Sequence, residues 1–216
     1  MGKATTSRAG TKGVARPERE RQIVDIAGRV FAEHGYAGTS LTAVAEQAGI
    51  SKPLIYNYFG SKEGLFSACL TCAGEVLVEV IERTARLGLV GQQRVIVTLD
   101  QFYAALEPRP WMWRVFRDPT MPATPEITAQ HDQYARRMHA VGVEGVRELL
   151  HLAGNDDPLD ASAMTAAWVN VFDALVNWWI DHPGESRADM TARTIRLSGA
   201  VFGPMESAPP TGAALD

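Results

Sequence analysis

Apolar residues recur at helical spacing along almost the whole chain. Ile23, Ile26, Ala27, Val30 and Phe31 follow Pro17, a residue suited to a first helical turn because the N–H it lacks has no partner there. His34 falls in the last turn of this helix, and Gly35 is placed for a left-handed cap. Ser40 offers an N-cap for a short second helix with Leu41, Val44, Ala45 and Ala48 along one side. Gly49 breaks it, Ile50 is expected to be buried in the turn, and Ser51 caps a third helix over 52–59. Pro53 is tolerated in that helix's first turn, and Gly60 ends it. Ser61 opens a long fourth helix that runs past Arg83.

The rest keeps the same period. Helices are predicted over 92–106, with Val95, Leu99, Phe102 and Leu106 on a face, and over 109–117, between proline-rich breaks. Further helices are predicted over 126–152, carrying Tyr134, Met138, Val141 and Val146, and over 161–181 and 187–202. No sustained period-two alternation and no Asn-Gly or Asp-Gly hairpin signal interrupts them, so the predicted fold is all-α. Residues 1–16 have no apolar period and are expected to be a loose basic arm, and 205–216 a loose tail. Between them lie an expected three-helix unit at 17–62 and a helical body at 63–204.

Residues 40–59 have the spacing of a helix-turn-helix. At about 100° per residue, Ile55 and Phe59 point towards Leu41 and Val44. Pro53, Tyr56 and Asn57 point nearly the opposite way, with Leu54 and Tyr58 at the flanks. The outward set has no acid and is made of groups that hydrogen-bond or stack. It suits a helix whose front enters the major groove of DNA.

Charge sharpens this picture. The net charge of −4 hides a division: residues 1–62 hold nine Lys and Arg against five Asp and Glu, and the remainder holds 12 against 20. A basic head on an acidic body suggests that the head meets a polyanion.

The composition is globular, at 46% hydrophobic and 21% charged. No run approaches the roughly 18 apolar residues of a membrane span, and the polar N-terminus lacks the apolar core of a secretory signal. A cytoplasmic protein with no membrane segment is expected.

Two cysteines build neither a disulfide framework nor a four-ligand zinc site. Cys69 and Cys72 share a helix face, where core packing is the commoner use and a redox pair the rarer one. There is no His-x-x-x-His pair, no Gly-rich phosphate loop and no Gly-x-Ser-x-Gly elbow. No catalytic residue, metal or cofactor is expected.

The stretch Thr-Ser-Leu-Thr-Ala-Val-Ala-Glu-Gln-Ala-Gly-Ile-Ser-Lys-Pro-Leu-Ile-Tyr-Asn-Tyr-Phe-Gly-Ser-Lys-Glu-Gly-Leu-Phe at 39–66 resembles the DNA-binding signature of TetR-family transcriptional regulators. Ala27, Phe31, Gly35 and Tyr36 match the pattern of the preceding helix. The resemblance covers about residues 18–70. It implies a homodimer on a roughly palindromic operator in double-stranded DNA, each subunit placing one recognition helix in the major groove.

Carried over by position, Tyr56 and Asn57 would touch bases and phosphates, and Tyr58 and Lys62 the backbone. Ser40 and Thr42 would meet phosphate at the start of the second helix, where the helix dipole helps. Lys52, Pro53 and Leu54 lie at the base-reading front. Leu54 stands where the family often has a polar residue and would meet a thymine methyl. Asn57 replaces a frequent His or aromatic residue. Arg8, Lys12 and Arg16 of the arm would enter a neighbouring minor groove or stay solvated.

The resemblance implies that the body senses and dimerises. Its aromatic residues are either core or the lining of a pocket between helices. Trp111, Met112, Trp113 and Phe116 sit on one short segment and are not all expected to face inward. Trp111, Trp113 and Phe116 are therefore expected to line a cavity with Phe102, Tyr103, Trp168 and Phe172, holding an apolar or aromatic small-molecule effector. Arg114, Arg117 or Asp173 would orient it. Helices 161–181 and 187–202 resemble the family's dimerising pair, with Trp178 and Trp179 diverging by about 100°. The resemblance implies a regulator, most often a repressor in this family. The competing expectation is a small helical ligand carrier or enzyme whose basic arm is incidental.

Overall fold

The computed structural model describes residues 15–202, and among these every regular element is an α-helix. The helices are α1 (Arg16–Gly38), α2 (Leu41–Ala48), α3 (Lys52–Phe59), α4 (Lys62–Ala85), α5 (Gly91–Leu106), α6 (Trp111–Phe116), α7 (Pro125–Leu152), α8 (Pro158–Ile180) and α9 (Arg187–Phe202). Of the expected arm at 1–16, residues 1–14 lie outside the described residues while Arg16 opens α1; the expected tail at 205–216 also lies outside them.

Local chemistry sets the ends. The hydroxyls of Ser40, Ser61 and Thr124 accept backbone N–H groups of Ala43, Gly64 and Ile127 and cap α2, α4 and α7. Helices α8 and α6 differ from expectation by more than one residue. The Asp157 carboxylate accepts the Leu159 N–H, so α8 starts at Pro158 rather than 161. Between Pro110 and the turn at Arg117, α6 is only six residues long.

Inside α1, Gly35 takes φ 68° and ψ 168° and kinks the helix, a conformation essentially reserved for glycine. At Gly28, α1 and α6 approach so closely that an added Cβ would stand 2.3 Å from Trp111 Cε3.

Helix α4 is the spine, packing on α1 and α3 at one end and on α5, α6 and α7 beyond. Leu65 and Phe66 on its second turn are buried in the head, and the Phe66 ring meets Phe31 edge-on at 5.1 Å. By length and composition α4 is apolar enough to cross a membrane, which run length alone does not reveal. Here its apolar side chains Leu70, Ala73, Leu77 and Val78 join one core continuous from head to body.

Helix α8 packs on α7, and α9 on α5. The inward side of α9 combines Met190 with Thr194 and Ser198, and the Thr194 hydroxyl bonds the Tyr103 phenol at 2.9 Å. Its outward side exposes Leu197 and Val201.

Candidate nucleic-acid interface

The head is held from behind. Ile55 is fully buried and anchors α3 on Leu41, Val44 and Ala45 of α2, while Phe59 and Ile50 are half-buried against the same core. Ile50, expected to be buried, is only half-buried, its N–H bonded back to the Ala45 carbonyl across the left-handed cap at Gly49 (φ 64°).

With Ile55 fixed, the helical period aims the other face at solvent. Lys52, Pro53, Tyr56 and Asn57 are exposed, and Leu54 and Tyr58 are half-buried on the flanks. Tyr56 is 46% exposed, a large fraction for an aromatic residue. Among the described residues the side chains of Lys52, Tyr56 and Asn57 have no hydrogen-bond or charge partner. Their donors and acceptors stand ready for an external one.

Beside α3, the Ser40 hydroxyl accepts from Ala43 and donates to no partner among the described residues, and Thr42 is exposed. Arg16 lays its guanidinium 5.1 Å from the Tyr58 ring centre, and Lys62 Nζ stands 4.2 Å over the Tyr36 ring. The Tyr36 hydroxyl donates to Glu63 Oε1 at 2.5 Å. Burial, and then this carboxylate, pushes the Tyr36 phenol up to about 12, while the phenol holds Glu63 below the usual carboxylate range. One ring thus seats the cation and restrains the neighbouring acid.

Sequence reasoning matched Tyr36 only as part of a pattern. It missed Asp118 altogether. Asp118 Oδ2 accepts the Tyr36 N–H at 2.6 Å, and Thr120 Oγ1 accepts the Ala37 N–H at 3.1 Å. These contacts join the α6–α7 segment to the kink of α1 and have no local signature, being 82 and 83 residues apart.

The body corrects one expectation outright. All five apolar residues of α6 (Trp111, Met112, Trp113, Val115 and Phe116) are buried, because α1, α4 and α5 surround it. Phe102, Tyr103, Trp113 and Phe172 come together, but ring on ring. Phe102 lies 5.0 Å from Phe172 and 5.6 Å from Trp113, and Trp168 stacks on Phe172 at 6.2 Å. Trp111 instead packs on Gly28 and donates its Nε1–H to Asp25 at 3.0 Å.

Of the seven aromatics expected around a ligand, Phe116 lines a cleft of about 630 Å³ and Trp111 a shallower one of about 410 Å³. Arg114, Arg117 and Asp173 all line the larger cleft.

Trp179 is buried and Trp178 exposed, as their divergence requires. Ala163, Ala166, Ala167, Val169 and Ala174 of α8 are exposed too. Burial raises both the Cys69 and Cys72 thiols above their ordinary range, which keeps them protonated.

Residues 23–69 match the family model described as bacterial regulatory proteins, tetR family. The chain is 29% identical over 115 residues to the HTH-type transcriptional activator FasR of Mycolicibacterium smegmatis, covering 53% of this chain and 52% of FasR. It is 25% identical over 159 residues to the HTH-type transcriptional repressor AcnR of Corynebacterium diphtheriae, covering 74% of this chain and 80% of AcnR. The chain thus spans only about half of FasR's length.

Among solved structures, a TetR-like transcriptional regulator from a Rhodococcus species superposes with a TM-score of 0.71 at 23% identity, covering 88% of this chain and 100% of that one. The regulator FadR of Bacillus subtilis, solved in complex with stearoyl-CoA, gives 0.65 at 19%, covering 85% and 98%. At these identities the superpositions establish the fold.

Proposed function

Starting from the chain's place among TetR-family transcriptional regulators, we propose that it is a homodimeric repressor. It binds a palindromic operator and is released by a small molecule. The division of labour is a DNA-reading head at 17–62 and a sensing and dimerising body at 63–204. It works in the cytoplasm, where its operator lies.

The observation that carries this reading is the front of α3: Tyr56 and Asn57 exposed and unpaired among the described residues, with Ile55 locked behind them. Tyr56 and Asn57 reach base edges and phosphates, with Lys52, Pro53 and Leu54 at the leading end of the helix. Tyr58 and Lys62 hold the backbone, and Ser40 and Thr42 take phosphate at the start of α2. Arg16, on the Tyr58 ring, adds a cation to the same rim.

Two heads are needed, because a palindrome presents half-sites about one turn apart. The exposed small and apolar residues of α8, with Leu197 and Val201 of α9, support a two-fold interface through the last two helices.

Release follows from the joint between the parts. A ligand that tilts α4 or loosens the Asp118 contact to Tyr36 alters the spacing of the heads. By linkage, operator then weakens ligand binding by the same factor. The aromatic cluster around Phe172 backs the sensing part.

The test is binding of the full chain to DNA flanking its own gene over a salt series. A specific dimer keeps its preference for one inverted repeat as salt rises. Affinity that fades equally on all sequences overturns the reading.

A further inference from the structure

We infer that the cleft of about 630 Å³ between head and body binds a small amphipathic carboxylate. Its size falls within the roughly 300–1,000 Å³ of small-molecule sites. The argument is a census of donors and acceptors along its walls.

Arg114 and Arg117, one turn apart on α6 and its C-cap, both face the cleft. Arg114 Nη2 donates to Asp181, and Arg117 Nε donates to Asp173 Oδ1 at 2.6 Å. Each bond uses one of the five N–H groups of a guanidinium. Among the described residues the remaining donors of both have no partner.

The carboxylates of the same walls are already engaged. Asp118 Oδ2 accepts from Tyr36, and Oδ1 accepts the Thr120 N–H at 2.8 Å and hydroxyl at 2.7 Å. Asp173 receives Arg117 and, at 3.5 Å, the Asn177 amide. The cleft therefore has guanidinium N–H groups to spare, beside carboxylates that are already paired. An incoming group has to accept, and a planar carboxylate fits the guanidinium fork. A dianion such as a phosphate monoester is disfavoured by the two acids already present.

The apolar part of the lining sets the rest of the ligand. Among the other lining residues are Phe31, Ala32, Phe116 and Met121, and the His131 ring lies 4.8 Å from Phe116. They suit an aliphatic or aromatic body behind the carboxylate.

The site deepens the effector part of the proposed function and rests on it only for the consequence. Asp118 and Gly35 line the cleft and also form the joint with Tyr36, so occupancy acts on the contact that holds the head.

The test uses no DNA, so its failure removes the cleft assignment and leaves the reading of the head standing. Calorimetric titration of the full chain compares octanoate and 2-naphthoate with octanamide and 2-naphthamide. The expected result is that one acid binds and its amide binds at least tenfold more weakly. Arg114→Met with Arg117→Met should weaken that acid at least tenfold while the melting transition persists. Should the double variant fail to fold, Arg114→Met alone serves, since it removes only an exposed ion pair. Absence of binding by both acids, equal binding of acid and amide, or a folded variant that binds like wild type overturns the assignment.

Discussion

The carboxylate of Asp118 accepts the backbone N–H of Tyr36 at 2.6 Å, and the ring of Tyr36 carries the ammonium of Lys62 at 4.2 Å. A single residue thus touches the body with its backbone and the cation at the start of α4 with its side chain. Asp118 is only 8% exposed, so little water competes for the contact.

Asp118→Ala leaves the Tyr36 and Thr120 N–H groups without their acceptor. A cost of about 1–3 kcal/mol is expected for a buried donor left unpaired. Urea unfolding measures it. A change within error would mean that the joint carries no load.

Glycine matters at two places for different reasons. Gly35→Ala forces a side chain into φ 68° and ψ 168° and sets its Cβ 2.9 Å from Thr120 Oγ1. Gly28→Ala drives a methyl into the Trp111 ring. Each is expected to cost about 1–3 kcal/mol, the first through backbone strain and the second through overpacking. Thermal unfolding should show both with lowered midpoints.

Alkaline pH should separate the tyrosines. Tyr36 and Tyr103 are pushed up to about 12, both chiefly by burial, and the Thr194 hydroxyl pulls Tyr103 partly back. In the unfolded chain the same phenols ionise near the ordinary value of about 10. The folded state therefore keeps protons that the unfolded state has lost. Their contribution is intact below pH 10 and is lost as pH rises from about 10 to about 12. Phenolate absorbance should show a late-titrating class, and the urea midpoint should fall over the same interval. Titration of every tyrosine near 10 in the folded protein would contradict this.

Leu197 is 42% exposed on α9, and Val169 37% exposed on α8. If this face joins two subunits, Leu197→Glu puts a carboxylate into each copy of the apolar contact, where it is desolvated without a partner. Sedimentation should show at least tenfold weaker dimerisation, about 1.4 kcal/mol, with helicity unchanged. An unaltered dimer would place the interface elsewhere.

Much of this protein was legible in advance because its helices announce themselves locally. Ser40, Gly49, Gly60 and Ser61 punctuate the head, whereas Ser51 precedes α3 without the side-chain cap bond expected of it, and the angle between Ile55 and Tyr56 separates a buried face from an exposed one. The body was harder. Periodicity shows that Trp113 and Phe172 share helix faces with other apolar residues, but not whether the space between them is filled. Every residue of α6 except Arg114 is buried because three helices pack around it, and no window of six residues carries that information. The Asp118–Tyr36 contact spans 82 residues and joins two backbone turns, so neither residue type nor spacing points to it.

The central claim is tested most directly by the affinity of Tyr56→Ala and Asn57→Ala for the preferred inverted repeat, with folding checked by circular dichroism. Both residues are exposed, so the fold should be retained. Each variant is expected to lose about 1–3 kcal/mol of binding and to relax its choice of base. Two folded variants that bind the repeat as tightly and as selectively as the wild-type chain would contradict the account.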